Sequence, residues 1–195
     1  MKLIDCRNMA CPLPVVTVKR ALEEGGGEGV RVLLDDGPPR ENVTRFAVNR
    51  GYRVTEEKVD AGYALTIGEG DAPSGSREKP ERRTGPTVLL IGSDRLGDGP
   101  EELGRLLMKN FIITLLDLEQ PPDRIFFVNT GVFLTTEGSE VLETLERLGN
   151  RGVEVFSCGV CLDYFHRKEL LKAGAVTNMF TIAESLTTAG LVIRP

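Results

Sequence analysis

Two regions of the chain carry different hydrophobic rhythms. Near the N-terminus, Val15, Val18 and Leu22, with Ala21 beside them, recur at helical spacing. They predict a helix over Pro12–Glu24, ended by Gly25, Gly26 and Gly27. Val30–Leu34 reads as a strand. Val43, Phe46 and Ala47 mark a second helix over Pro39–Arg50, which Gly51 stops. Tyr52–Lys58 and Tyr63–Ile67 alternate as strands around the turn Asp60-Ala61-Gly62. With a short apolar start at Lys2–Ile4, the order βαβαββ implies a small two-layer α/β sandwich.

The second region opens with Thr87–Ile91, an unbroken apolar run suited to a strand covered on both faces. Helical spacing fills Glu101–Leu116, followed by a strand over Arg124–Asn129, a helix over Glu137–Leu148 and a strand over Val153–Ser157. A cysteine-containing turn, helices over Tyr164–Lys172 and Ile182–Thr188 and a last strand over Gly190–Ile193 complete it. Strands alternating with helices predict a parallel-sheet α/β domain of flavodoxin-like type. Between the regions, GEGDAPSGSREKPERRTG (Gly68 to Gly85) has no large apolar residue and reads as a linker. The expected organisation is therefore a first domain over 1–68, a flexible linker over 69–85 and a second domain over 86–195. A Gly-rich linker of about 17 residues spans roughly 20–25 Å, enough for groups on the two domains to meet. The helix over Glu101–Leu116 carries Leu103, Leu106, Leu107, Phe111 and Ile113 besides its other apolar positions, a wider apolar surface than one sheet requires. Homo-oligomerisation through the second domain is expected from it.

Composition narrows the function. The net charge of −5 over 195 residues, with no basic block, argues against direct nucleic-acid binding. No apolar run approaches the roughly 20 residues of a membrane span. Asp5 and Arg7 stand where an export signal would be apolar, so a cytoplasmic protein is expected. With one histidine, His166, and no tryptophan, any Ser-His-Asp or His-rich metal site would rest on a single imidazole. Four cysteines in such a chain read as reactive or metal-binding thiols before disulfides.

Cys11-Pro12-Leu13-Pro14 is the most informative tetrapeptide. Pro12 suits the first helical position and needs no N–H partner, which puts Cys11 at the N-cap, where free N–H groups and the helix dipole favour a negative sulfur. Lowering a thiol from about 8.5 to about 7 makes roughly half of it thiolate at neutral pH. Such a sulfur can attack a persulfide and take its outer atom. Cys158-Gly159-Val160-Cys161 follows a strand at the edge where parallel sheets bind ligands, beside the loop Gly92–Gly99 and the turn Asn129–Phe133. Four readings stay open: a dithiol cycling through a disulfide, half of a zinc or iron–sulfur site, a sulfur relay with one thiol resolving the other, or packing.

Gly92–Gly99 lacks the Gly-Lys-Ser/Thr ending of a phosphate loop. His166 reads as a surface residue, and Asp35-Asp36, before Gly37-Pro38, as a turn. Cys6 either resolves a persulfide on Cys11 or fills space near the first strand.

The segment Asp5-Cys6-Arg7-Asn8-Met9-Ala10-Cys11-Pro12-Leu13-Pro14, with its βαβαββ continuation, resembles the TusA/SirA family of sulfur-carrier proteins. Gly92-Ser93-Asp94, Asn129-Thr130-Gly131-Val132 and Cys158-Gly159-Val160-Cys161-Leu162-Asp163-Tyr164 resemble the DsrE family. The fusion in this order is similar to the YedF group, sulfurtransferase-like proteins associated with selenium metabolism. The resemblance implies that Cys11 carries a persulfide, or a perselenide, received from a donor protein such as a cysteine desulfurase and passed to an acceptor protein. It implies a thiol in the second domain, Cys158 or Cys161. Cys161 is preferred because it stands at the start of the following helix, where the dipole argument repeats. Pro12 and Pro14 support the motif, and no cofactor or bound metal is expected. Cys6 and Asn8 depart from the small residue and glycine frequent in relatives. A thiol redox- or metal-sensing regulator built on Cys158 and Cys161 is the alternative.

Overall fold

The structure, a computed structural model, describes residues 1–25, 29–68 and 85–195. The chain divides into two compact units, Met1–Lys79 and Pro80–Pro195. Residues 69–84 of the expected linker, and Gly26 and Gly27 of the expected helix stop, lie outside the described residues.

In the first unit the elements run β1 (Lys2–Asp5), α1 (Leu13–Glu24), β2 (Val30–Leu34), α2 (Pro38–Asn49), β3 (Arg53–Val59) and β4 (Gly62–Gly68). The sheet order is β1-β2-β4-β3, with β1 parallel to β2 and the other pairs antiparallel. Val30 faces Ile67 and Val32 faces Leu65 across the β2–β4 ladder, and these four are buried. The period-2 pattern thus sends one stripe of each strand under the helices, where it meets Val18, Ala21 and Leu22 of α1 and Val43 and Ala47 of α2. The β3–β4 turn requires its glycine. Gly62 has φ +117°, and a Cβ there would stand 2.2 Å from the Leu34 carbonyl oxygen.

The second unit holds β5 (Thr87–Ile91), α3 (Glu101–Leu115), β6 (Arg124–Phe127), a 3-10 helix (Asn129–Thr135), α4 (Leu142–Asn150), β7 (Glu154–Cys158), α5 (Gly159–Tyr164), a 3-10 turn (Lys168–Leu170), β8 (Ala175–Thr177), α6 (Met179–Thr188) and β9 (Leu191–Ile193). All five strands are parallel, in the order β8-β7-β6-β5-β9. Placing β9 beside β5 distinguishes this order from the 2-1-3-4-5 order of flavodoxin. Leu89, Ile91, Ile125, Phe127 and Val155 pack with Met108, Ile112, Leu145, Leu148 and Leu162 of α3, α4 and α5. Val88, Phe126 and Cys158 pack with Ile182 of α6 on the other face.

Several expected elements differ. The helix expected over Glu137–Leu148 begins at Leu142, because Gly138 has φ +92° and Glu137 and Ser139 are held in a turn by Leu170 and Thr136 carbonyls. The helix expected over Tyr164–Lys172 is absent: α5 ends at Tyr164, and His166 at φ +54° breaks the chain before the 3-10 turn. The cysteine-containing turn is the beginning of α5. β8 and the 3-10 helix after β6 were not expected, being too short for periodicity to register. Among the described residues no helix is long and apolar enough to cross a membrane.

Candidate functional site

In the first unit, the segment between β1 and α1 is fixed from both ends. Arg7 donates to Asp5 from its backbone N–H at 3.1 Å and from its guanidinium at 2.9 and 2.5 Å. Those bonds hold the Asp5 carboxyl well below its ordinary value, to about 2, the guanidinium contributing most and the backbone N–H next. Cys6 donates its N–H to the Leu33 carbonyl, and Asn8, in the left-handed region at φ +59°, donates its N–H to Asp35 at 2.6 Å. Asp36 accepts from the Gly37 N–H and pairs with Arg40. The two aspartates therefore organise the turn into α2, and Asp35 also anchors the segment leading to Cys11.

Cys11 emerges from this segment exposed. Its position corrects the sequence expectation. Helix α1 begins at Leu13, Pro12 is the N-cap, and Pro14 lies within the first turn, so Cys11 precedes the cap by one residue. The Cys11–Pro12 peptide is cis. Proline disfavours helical geometry in the residue before it, which keeps Cys11 out of the helix. Beside Cys11 lies a cavity of about 210 Å³ walled mainly by Met9, Pro12, Pro14, Val15, Pro38 and Pro39. The prolines at the starts of α1 and α2 make this wall apolar. Cys6 is wholly buried in the core, and burial, then the Asp5 charge, pushes its thiol up. It has the filler role of the two the sequence left open.

In the second unit, Cys158 closes β7 and is the N-cap of α5, and Cys161 is the third residue of that helix. Cys158 is 1% exposed, whereas Cys161 is half-buried between the two core clusters. Cys161 packs against the core cluster to which Cys158 belongs. The N–H of Asn129, the first residue of the 3-10 helix after β6, donates to the Cys161 sulfur at 3.1 Å. Burial pushes the Cys161 thiol up, the Asn129 N–H draws it down, and Cys158 pushes it up again. A dipole-lowered thiol was expected here. A helix of six residues supplies little macrodipole, and burial outweighs it.

The loop that aims the Asn129 N–H is itself held firmly. Asn129 has φ +50°, a conformation asparagine tolerates better than most residues. Thr135 and Ser157, both wholly buried, share a hydroxyl–hydroxyl bond of 2.7 Å that ties the 3-10 helix to β7 next to Cys158. Gly131 is packed against β5, where a Cβ would stand 2.4 Å from the Ile91 carbonyl oxygen. The expected meeting of the turn after β6 with the cysteine pair is thus present. The Gly92–Gly99 loop joins the same edge through the Asp94 N–H, which donates to the Thr130 hydroxyl at 3.4 Å. His166 is exposed. A larger cleft of about 350 Å³ in this unit, bordered by Asp94, Arg105, Lys109, Glu140 and Arg167, has no cysteine in its wall. Among the described residues, no group of three or more His, Cys, Asp or Glu side chains is arranged to hold a metal ion.

The family model of sulfurtransferase TusA matches residues 2–68. A Methanocaldococcus jannaschii protein, named as a candidate sulfur carrier protein, is 41% identical over 69 residues, which are 92% of that protein and 34% of this chain. The chain belongs to the TusA family. The TusA match spans the elements of the first unit from β1 to β4, including Cys11-Pro12-Leu13-Pro14. Among solved structures, a SirA-like protein from Desulfitobacterium hafniense is 36% identical, with a TM-score of 0.34, over 36% of this chain and all of that one. The ychN protein from E. coli is 20% identical, with a TM-score of 0.45, over 57% of this chain and 99% of that one.

Sequence reasoning missed two participants in these sites. Asp35 was read as a turn residue only, though its place after a strand beside the cysteine segment hinted at more. Asn129 acts through its backbone N–H, and the only signal available was an asparagine directly after a strand and before Thr130-Gly131.

Proposed function

We propose that this TusA-family chain is a sulfur carrier that holds a persulfide on Cys11 and delivers it to Cys161 of a DsrE-like second unit, as in the YedF group. The observation that carries this reading is the exposed Cys11 sulfur beside an apolar cavity in the family-matched unit. A donor's persulfide approaches an open thiol. The Cys11 thiolate attacks the outer sulfur, the donor thiolate leaves, and Cys11 keeps the outer atom as a persulfide. The apolar wall excludes water from one side of the loaded sulfur and offers a partner's apolar side chain a place to dock. In the same way a selenium donor would load a perselenide. Cys161 suits the receiving role because it is the accessible thiol of its pair. The reading also makes the second unit self-associating: Leu103, Leu106 and Leu107 of α3 are 40–53% exposed.

The test is intact-mass analysis of reduced protein after incubation with a cysteine desulfurase and cysteine, and separately with a selenium donor. Wild type is expected to gain a reducible sulfur, or selenium, atom, and Cys11→Ser to lose that gain almost entirely. No adduct on folded wild type with free thiols would overturn the reading. Loss only in Cys161→Ser would move the entry point to the second unit.

A further inference from the structure

The cysteine pair of the second unit has an asymmetry that a simple carrying site does not need. One sulfur, Cys161, is reachable and is held by the Asn129 N–H. The other, Cys158, is 1% exposed and belongs to the core cluster against which Cys161 packs. Their placement on α5 brings them to one end of the helix, because the side chain of an N-cap residue points toward the third helical position. Cys158 is too buried for a donor protein to reach it directly. Inert packing accounts for a buried cysteine, yet leaves unexplained a second, more accessible thiol packed against its cluster with a backbone donor aimed at its sulfur.

We infer that Cys158 is a resolving thiol that discharges a persulfide on Cys161 as hydrogen sulfide, so that the second unit ends the relay in a sulfide-releasing step. This rests on the proposed delivery of a persulfide to Cys161. In the step, the Cys158 sulfur attacks the inner sulfur of the Cys161 persulfide. The Cys158–Cys161 bond forms, the bond between the two Cys161-borne sulfurs breaks, and the outer sulfur leaves with the electron pair. It takes the Cys158 proton and departs as hydrogen sulfide. The Cys158 sulfur is oxidised from thiol to disulfide, the inner Cys161 sulfur keeps its oxidation level, and the outer sulfur is reduced to sulfide. A perselenide would release hydrogen selenide by the same balance. A dithiol reductant then returns the pair to thiols, its own two thiols becoming a disulfide. The N–H of Asn129 holds the inner sulfur in place, and the placement of both thiols in the first turn of α5 makes the attack intramolecular.

The experiment uses the full chain as Cys11→Ser, so that the pair is loaded directly with glutathione persulfide. Released sulfide is followed in time, and the thiols are mapped by peptide mass spectrometry. The expected result is a burst of about one sulfide per chain with a Cys158–Cys161 disulfide mapped. In Cys11→Ser/Cys158→Ala, Cys161 is expected to retain its extra sulfur and the burst to be at least about tenfold slower. A burst unchanged by Cys158→Ala overturns the inference. So does a persulfide that persists on Cys161 while Cys158 remains a free thiol in the protein with its native pair, a readout that does not depend on how Cys158→Ala folds. If wild-type Cys11 fails to load from a desulfurase while the pair still releases sulfide, the relay falls and this chemistry stands. If Cys11 loads and the pair does not discharge, the reverse holds.

Discussion

The charge geometry ahead of Cys11 makes a pH-dependent statement. Asp5 titrates near 2 in the folded protein because Arg7 binds its charged form, against about 3.9 in an unfolded chain. The depressed value means the unfolded state takes up a proton first as pH falls. The contribution of this pair is therefore complete above about pH 4 and lost as pH falls through about 2. Thermal unfolding from pH 5 to pH 2 is expected to show Asp5→Asn less stable than wild type at pH 5, the two converging toward pH 2. A constant gap across the range would contradict the pairing. At this same scale the sequence was readable where side-chain type decides and silent where backbone does. Cys11 was legible from its prolines, and the burial of Cys6 from its position by the first strand was one of two readings. The sulfur-bound N–H of Asn129 was not, because every residue but proline carries an N–H and only the fold aims it.

Elements were legible where their period ran long enough. The six elements of the first unit were all present in the sequence pattern, with α1 shifted to begin after Pro12 because a proline took the cap. In the second unit the long apolar runs gave β5, α3, β6 and β7. The segment from Glu137 to Thr177 was misread, since its turns depend on left-handed residues at Gly138, His166 and Gly174, and β8 has three residues at a sheet edge. The 3-10 helix after β6 is the element whose loss should matter most for the cysteine pair. Its Gly131 lies against the Ile91 carbonyl with no space for a methyl group. Gly131→Ala is expected to destabilise the second unit by roughly 1–3 kcal/mol. It should also slow loading of Cys161 by glutathione persulfide, because the Asn129 N–H moves off the sulfur. Denaturant unfolding and the loading rate check the two effects; an unaltered rate with reduced stability would separate the loop from the chemistry.

For the whole molecule, the exposed leucines of α3 carry the expectation of self-association. Leu103, Leu106 and Leu107 stand out of the unit that Met108, Ile112 and Leu115 of the same helix anchor. Analytical ultracentrifugation is expected to find an oligomer for wild type and a single chain for Leu103→Glu/Leu106→Glu, with the fold retained. Equal masses for both would assign those leucines to another role. The burial of Cys158 has a kinetic meaning for the molecule as well. Dissolved oxidants and alkylating agents meet Cys11 and Cys161 before the buried Cys158. In the proposed discharge, accessibility, with no need of a difference in intrinsic reactivity, decides which thiol is first and which is second.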